Sequence, residues 1–348
     1  MSATDHTAER DAAMALARDL LGGAIDAVAP IRHGRNSRVF RVTAGRGIYA
    51  LKRYPAPGED LRDRLGTEVE ALRLMERCGV GRVARVIAAD PARRAVLLSW
   101  LDGTPVAAIT DPDVDAAADF LGRLHALRRD PAGRTYARPA SEACLSGREA
   151  ETQIRRRLAA LRALDGEPEL ARFLDGEYAP ALDALMAGAM RTMAAAGLDF
   201  DTPLPQELQT LAPSDFGFHN ALRRHDGTLV FVDFEYFGWD DPVKLVADVL
   251  HHPGLRLPPQ QRARFRAAAL AIYGADDPGF AARLAALEPL FGLRWVLILL
   301  NEFLPERWRA RVAAGETEPW PHAKARQLAR AAEMFAGVAP VAESVTHG

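Results

Sequence analysis

Cysteine is nearly absent from this chain. Its 348 residues include only Cys78 and Cys144, far apart and in no CxxC spacing. That excludes a disulfide framework and a cysteine-knuckle metal site. No charge of either sign is in excess: 44 Lys and Arg against 46 Asp and Glu leave a formal net charge of -2. No global field therefore argues for nucleic acid or an anionic membrane as partner. Long hydrophobic runs are lacking too. Runs such as Trp295 to Leu300 are far too short to cross a bilayer. The opening MSATDHTAERDAAMALARDLLGG is polar and charged and has no signal-peptide core. A cytoplasmic protein is expected. A glycine-rich GxGxxG loop is missing as well, and the turn after Ile31 offers only Gly34.

What is present divides unevenly. Hydrophobic residues make up 49% and charged residues 26%, an ordinary globular balance, and the length suits two lobes. Up to Leu101 the pattern is mainly strands. Ile25–Ile31, with Pro30 in it, reads as an edge strand. Val39–Val42 and Ile48–Tyr54 follow as alternating strands, and Val83–Ala88 and Ala95–Leu101 as two more. One helix interrupts them, Asp60 to Cys78, with Leu61, Leu65, Val69, Leu72 and Met75 on one stripe. A first helix, about Ala8 to Leu21, precedes them. After Asp102-Gly103-Thr104-Pro105 the chain is mostly helical, with helices at about 113–128, 146–163, 167–195, 258–273, 279–303 and 321–335. The shift predicts a small sheet lobe, 1–101, a linker at about 98–105, and a helical lobe, 102–348.

Lys52 lies within the apolar strand IYALKRY. A lysine there is costly to bury unless its ammonium meets an anion. It reads as a phosphate ligand, although alone it reads more readily as a solvent-facing lysine. The turn residues Gly34, Asn36 and Ser37 offer backbone N–H groups and a hydroxyl to phosphate oxygens. Glu68 either pairs with Lys52 or forms a local helix pair with Arg64. His125 reads as a packed core residue, and the run Arg155–Arg157 as a solvated face.

The most informative stretch is 211–248, LAPSDFGFHNALRRHDGTLVFVDFEYFGWDDPVKLVAD. Asp215 and Asn220 sit five apart in a loop. Asp226-Gly227 marks a hairpin turn whose return strand, LVFV, delivers Asp233 to the end of the hairpin that holds Asn220. Two acids and an amide so placed suit phosphoryl transfer: one group takes a proton from an acceptor, and two hold magnesium on a nucleotide triphosphate.

The chain resembles the aminoglycoside phosphotransferase and choline kinase family, small-molecule relatives of protein kinases. SDFGFHNALRR and LVFVDFEYFGWDDP carry the resemblance most strongly. IYALKRY, TEVEALRLMERCGV, VLLSWLDG and LGRLHAL support it in the same order. It implies an α+β, protein-kinase-like two-lobed fold with a small antiparallel-sheet N-lobe and a mainly helical C-lobe. It further implies that Asp215 orients and deprotonates the acceptor, and that Asn220 and Asp233 bind Mg2+. Lys52 would contact the phosphates of ATP or GTP with Glu68 as its partner, and Ser37 would cover them. Ser99, Trp100 and Leu101 would form the hinge that holds adenine. The acceptor would be a small molecule. Glu235, Asp240, Asp241 and Glu302 are offered either to a cationic acceptor or as structural caps; Tyr236, Phe237 and Trp239 are offered to a sugar ring or to the core. Non-catalytic nucleotide binding and nucleotidyl transfer stay open as alternatives. The chain departs from the family where Pro213-Ser214 replaces His-Gly and where Leu245 stands in place of an acid, with Asp248 nearby. His219, just before Asn220, either supports a neighbouring site residue or is packed, and packing is the reading favoured.

Overall fold

Period-two alternation in the N-terminal third builds a five-stranded antiparallel sheet of order β1-β2-β3-β5-β4. The strands are β1 (Ala27–Ile31), β2 (Arg38–Ala44), β3 (Gly47–Arg53), β4 (Val86–Asp90) and β5 (Ala95–Ser99). Pro30, which cannot donate to a ladder, is on the edge strand β1. The structure is a computed structural model describing residues 3–31, 37–55, 62–254, 256–313 and 315–338. It comprises two compact units, Met1–Ser141 with Leu211–Trp239, and Glu142–Thr210 with Asp240–Gly348.

In the first unit, helix α1 (Ala3–Leu21) covers one face of the sheet. Its Ala13, Leu16 and Ala17 bury against Val28, Phe40, Val42, Leu51 and Leu97. A fully buried Leu such as Leu51 contributes about 1.5–3 kcal/mol. Alternation then points Lys52, its neighbour on β3, to the opposite face. There it meets helix α2 (Arg64–Arg77), whose N-terminus Asp63 caps by accepting from Gly66 N at 3.0 Å. The unit continues through β6 (Thr104–Pro105) and α3 (Asp111–Ala126), which opens with a capping box of Thr110 and Asp113. Strand β7 (Thr210–Ala212) brings the chain back. Strands β8 (Ala221–Arg223) and β9 (Leu229–Phe231) then pair antiparallel, with β6 on the other side of β8, and β10 (Gly238–Asp240) leads out again.

The second unit is helical: α4 (Gly147–Arg162), α5 (Pro168–Phe173), α6 (Ala179–Ala195), α7 (Pro242–His251), α8 (Pro259–Tyr273), α9 (Phe280–Leu299), α10 (Pro305–Ala313) and α11 (Trp320–Val338). The helix expected over 167–195 is interrupted by a π-helical turn, Leu174–Tyr178. That turn points Tyr178 inward, and its hydroxyl donates to Leu293 O at 3.0 Å. Helix α9 packs against α4, α6, α7 and α11. The segment Phe280–Phe303 is long and apolar enough in composition to cross a bilayer, which the short unbroken runs in the sequence concealed. Its most apolar stretch is 72% buried inside the protein, as the core helix of a bundle would be.

Candidate active site

Lys52 is the centre of a charged cluster in the first unit. Its Nζ lies 2.6 Å from Glu68 Oε2, 2.7 Å from Asp233 Oδ1 and 3.3 Å from Glu235 Oε2. Lys52 is 6% exposed and Glu68 2%. Burial works against the ammonium, but Asp233, Glu68, Tyr54 and Glu235 together hold its pKa well above that of an ordinary lysine. Of the two partners open to Glu68, it takes Lys52 and not Arg64. The Tyr54 hydroxyl also bonds to Glu68, and the Phe234 N–H donates to Glu68 Oε1 at 3.3 Å. Arg64, one turn before Glu68 on α2, instead donates to Glu235 Oε1 at 2.8 Å. Ser37 Oγ donates to Glu235 Oε2 at 2.9 Å. Burial raises the Glu235 carboxyl, but Lys52, Arg64 and Ser37 outweigh it and leave its pKa lowered.

Asp233 behaves differently. Burial and the neighbouring Glu235 and Glu68 outweigh the opposing pull of Lys52 and push its carboxyl up to about 6. Its side chain is 37% exposed, so it has an open side where the other two acids do not. Its backbone is also unusual, with φ of 70°. A non-glycine residue in the left-handed region costs energy and concentrates at functional positions.

The hairpin forms as its sequence predicts. Gly227, at φ 83°, takes the left-handed turn conformation, and Arg224 N bonds to Thr228 O at 2.9 Å. The register pairs Ala221 with Phe231, and Val232 N donates to Asn220 O at 3.0 Å. Asn220 and Asp233 therefore leave the same end of adjacent strands. Asn220 Nδ2 donates to Asp215 O at 2.9 Å, which turns its amide oxygen away from that carbonyl. His219 is not merely packed: its Nε2 lies 3.1 Å from Asp215 Oδ1. The Asp215 side chain is 34% exposed. Ser214, in the departing Pro213-Ser214 pair, also has a left-handed backbone, φ 68°, and its Oγ donates to Ser141 O at 3.0 Å.

A phenylalanine cluster, unforeseen from the sequence, fixes both acidic segments. Phe120 of α3 lies 5.8 Å from Phe216, 4.6 Å from Phe231 and 6.1 Å from Phe234, ring centre to ring centre. Phe216 and Phe234 directly follow Asp215 and Asp233. The only signal for this in the sequence was the repeated Asp-Phe.

The remaining expected residues take various places. Ser99 ends β5, and its N–H and hydroxyl both engage Arg85 at 2.9 Å. Trp100 N donates to Ile48 O at 3.4 Å, its indole N–H donates to Asp102 at 2.8 Å, and half-buried Leu101 follows. Gly34 and Asn36 lie outside the described residues. His125 is buried, as expected. Of the acids offered to a cation, all four are engaged internally. Glu235 belongs to the lysine cluster. Asp240 bonds to Cys144 N and pairs with buried Lys244 at 2.9 Å. Asp241 caps α7 through Val243 N at 2.8 Å and pairs with Arg283 at 3.1 Å. Glu302 pairs with Arg311. Asp248 joins the same buried network, 3.0 Å from Lys244 and 2.8 Å from Arg294. Phe237 and Trp239 are core, and the indole of Trp239 donates to Tyr136 O at 2.6 Å. Arg62 and Arg64 cover the ring of Tyr236 at 4.8 and 5.1 Å.

The lysine cluster holds three carboxylates (Glu68, Asp233, Glu235) against two cations (Lys52, Arg64), a local balance of one negative charge. One carboxylate oxygen from each of the three acids lies within 4.8 Å of the others, and these donors are all hard oxygen. That set fits a small divalent cation such as magnesium.

The sequence profile of the Phosphotransferase enzyme family (APH) matches residues 27–284, well over half of the chain. The chain belongs to this phosphotransferase enzyme family. No curated sequence matches it. Among solved structures, choline kinase LicA from Streptococcus pneumoniae is similar at 15% identity and TM-score 0.54, over 90% of this chain and 94% of that one. The spectinomycin phosphotransferase APH(9)-Ia, in complex with ADP and spectinomycin, is similar at 9% identity and TM-score 0.57, over 96% and 97%. A gentamicin complex of APH(2")-IIa gives 15% identity and TM-score 0.56, over 90% and 91%. At such identities the likeness is one of fold. It gives this phosphotransferase the protein-kinase-like α+β architecture expected of it.

Proposed function

We propose that this enzyme moves the γ-phosphoryl group of ATP, or of GTP in its place, to a hydroxyl or amine of a small molecule. A sugar, amino-sugar or amino-alcohol is the acceptor class. The observation that carries the reading is Lys52, buried and held at once by Glu68 and by the partly exposed Asp233. A lysine so placed has no core-packing role that apolar residues would not fill at lower cost. It is well suited to bind phosphate oxygens when a nucleotide draws it from Asp233. In this reading residues 1–101 handle the nucleotide, residues 102–348 carry the catalytic loop and the acceptor, and the linker lies at about 98–105.

Asp215 orients the acceptor hydroxyl and takes its proton. In a loose transition state the proton leaves late, so the main task of Asp215 is positioning. His219 steadies its carboxylate at 3.1 Å. Asn220 and Asp233 are the residues that would hold magnesium, which when bound offsets charge on the phosphates. Ser37 and its turn cover the phosphates, and the backbone at Ser99, Trp100 and Leu101 receives adenine. Lys52, Glu68, Asp215, Asn220 and Asp233 are all present, which argues against a non-catalytic module.

Calorimetric titration of ATP with and without magnesium tests the assignment. Wild type should bind ATP more tightly with magnesium, and Asp233→Asn should lose that gain. An Asp233→Asn protein that kept the full magnesium effect would refute the metal assignment.

A further inference from the structure

Glu235 gathers three donors, all from the first unit. Ser37 Oγ donates to its Oε2 at 2.9 Å, Lys52 Nζ lies 3.3 Å from that same oxygen, and Arg64 Nη1 donates to Oε1 at 2.8 Å. The Glu235 side chain is 1% exposed, so water screens these bonds little. Two of the donors, Ser37 and Lys52, are the groups that the proposed function gives to the nucleotide phosphates. They meet on one carboxylate oxygen, which accepts from them as a phosphate oxygen does.

A lysine ammonium has three donors. Three carboxylates surround that of Lys52: Glu68 at 2.6 Å, Asp233 at 2.7 Å and Glu235 at 3.3 Å. A phosphate oxygen that reaches Lys52 therefore displaces an acid. Glu68 is held from two further sides, by the Tyr54 hydroxyl and the Phe234 N–H. Asp233 is the acid that the proposed function passes to magnesium. Glu235 has the longest contact, and Arg64 keeps its other oxygen paired when Oε2 is given up. Leaving Lys52 and Ser37 thus strands no buried carboxylate. We propose that Glu235 is a positioning residue that takes the place of a phosphate oxygen. Its Oε2 holds Ser37 and Lys52 together, and the nucleotide phosphates displace it while Arg64 retains the carboxylate. This inference deepens the phosphotransferase reading and rests on it for the identity of the ligand.

Calorimetric titration of the full chain with ATP, magnesium chelated, reads the competition, and adenosine serves as the ligand without phosphates. Glu235→Gln should bind ATP at least about tenfold more tightly than wild type and leave adenosine binding unmoved. A change of packing would move both ligands. Removing a negative charge also favours an anion through the field alone, so the same step is repeated in Ser37→Ala. Without the Ser37 hydroxyl, Glu235 withholds one donor fewer. The gain from Glu235→Gln should then shrink at least about threefold, whereas a field effect is the same in both backgrounds. ATP binding no tighter in Glu235→Gln, or a gain undiminished in Ser37→Ala, overturns the proposal. If Glu235→Gln does not fold, Glu235→Asp keeps the charge and the Arg64 pair but reaches one methylene less far, and the same cycle decides in the same way. The phosphotransferase reading is judged apart, by acceptor-stimulated release of ADP with magnesium. Turnover with an undiminished gain leaves that reading standing and sinks the inference. A diminished gain without turnover sinks the reading and upholds Glu235 as the competitor in a polyphosphate site.

Discussion

Lys52 Nζ and Asp233 Oδ1 lie 2.7 Å apart, although 181 residues separate them in the chain. The lysine is buried, whereas the aspartate is partly open. In the proposed reaction, a nucleotide that took the lysine would leave Asp233 with a free carboxylate for a divalent ion. Asp233→Asn should therefore lower kcat by about a hundredfold or more. Raising magnesium should not restore it. A coupled assay for ADP across a magnesium series reads both effects, and recovery at high magnesium would contradict the account.

Beneath that pair, Arg64 and Glu235 form a salt bridge of 2.8 Å with side chains 7% and 1% exposed. Removing Arg64 leaves Glu235 Oε1 buried and unpaired, with only Lys52 and Ser37, both on Oε2, to offset the charge. Arg64→Ala should cost about 3–5 kcal/mol of stability. Adding Glu235→Gln to it should cost less than the sum of the two single changes, because the stranded carboxylate is then gone. Urea unfolding of the four proteins in the cycle measures this; strict additivity would mean the pair does not interact.

The phenylalanine cluster makes a different demand. Phe120→Ala should cost about 3–5 kcal/mol by leaving a cavity. It should also lower turnover at temperatures where the protein is still folded, because Phe216 and Phe234 position the residues before them. Phe120→Leu should recover most of both. Circular dichroism with an activity assay on the same samples would show whether the two losses travel together.

Asp113 supplies the pH test. Burial raises its carboxyl, but the Thr110 hydroxyl and N–H and the Arg223 guanidinium outweigh it, so its folded pKa is lowered. A depressed folded pKa gives stability that is present above the unfolded value of about 3.9 and is lost as pH falls through the folded one. Asp113→Asn should therefore reduce the loss of stability between neutral pH and about pH 3. Urea midpoints for both proteins across that range check it; parallel curves would remove Asp113 from the acid response.

Much of this was legible because it is local. Alternation located β3 and placed Lys52 in it, the apolar stripe located α2 and Glu68, and Asp226-Gly227 gave the turn that aligns Asn220 with Asp233. What escaped is what burial decides over long sequence separations. Glu235 and Arg64 are 171 residues apart, and nothing in either neighbourhood signals that they meet. Asp240 and Asp241 look available in sequence because the cations that consume them, Lys244 and Arg283, lie within apolar helices. His219 could be judged packed because its partner, Asp215, is near in sequence yet met only through the bend of the loop. The helix over 279–303 was itself legible; its overall apolar character was not, because Arg294 and Glu288 interrupt its apolar runs while facing inward.

Magnesium-dependent ATP consumption by wild type and Asp215→Asn, across neutral, cationic and anionic small-molecule alcohols and amines, tests whether Asp215 serves phosphoryl transfer. Wild type should show acceptor-stimulated release of ADP with a phosphorylated product, and Asp215→Asn a loss of about a hundredfold or more with ATP binding retained. Equal stimulated turnover in the two proteins, or a nucleotidylated product, would contradict that role.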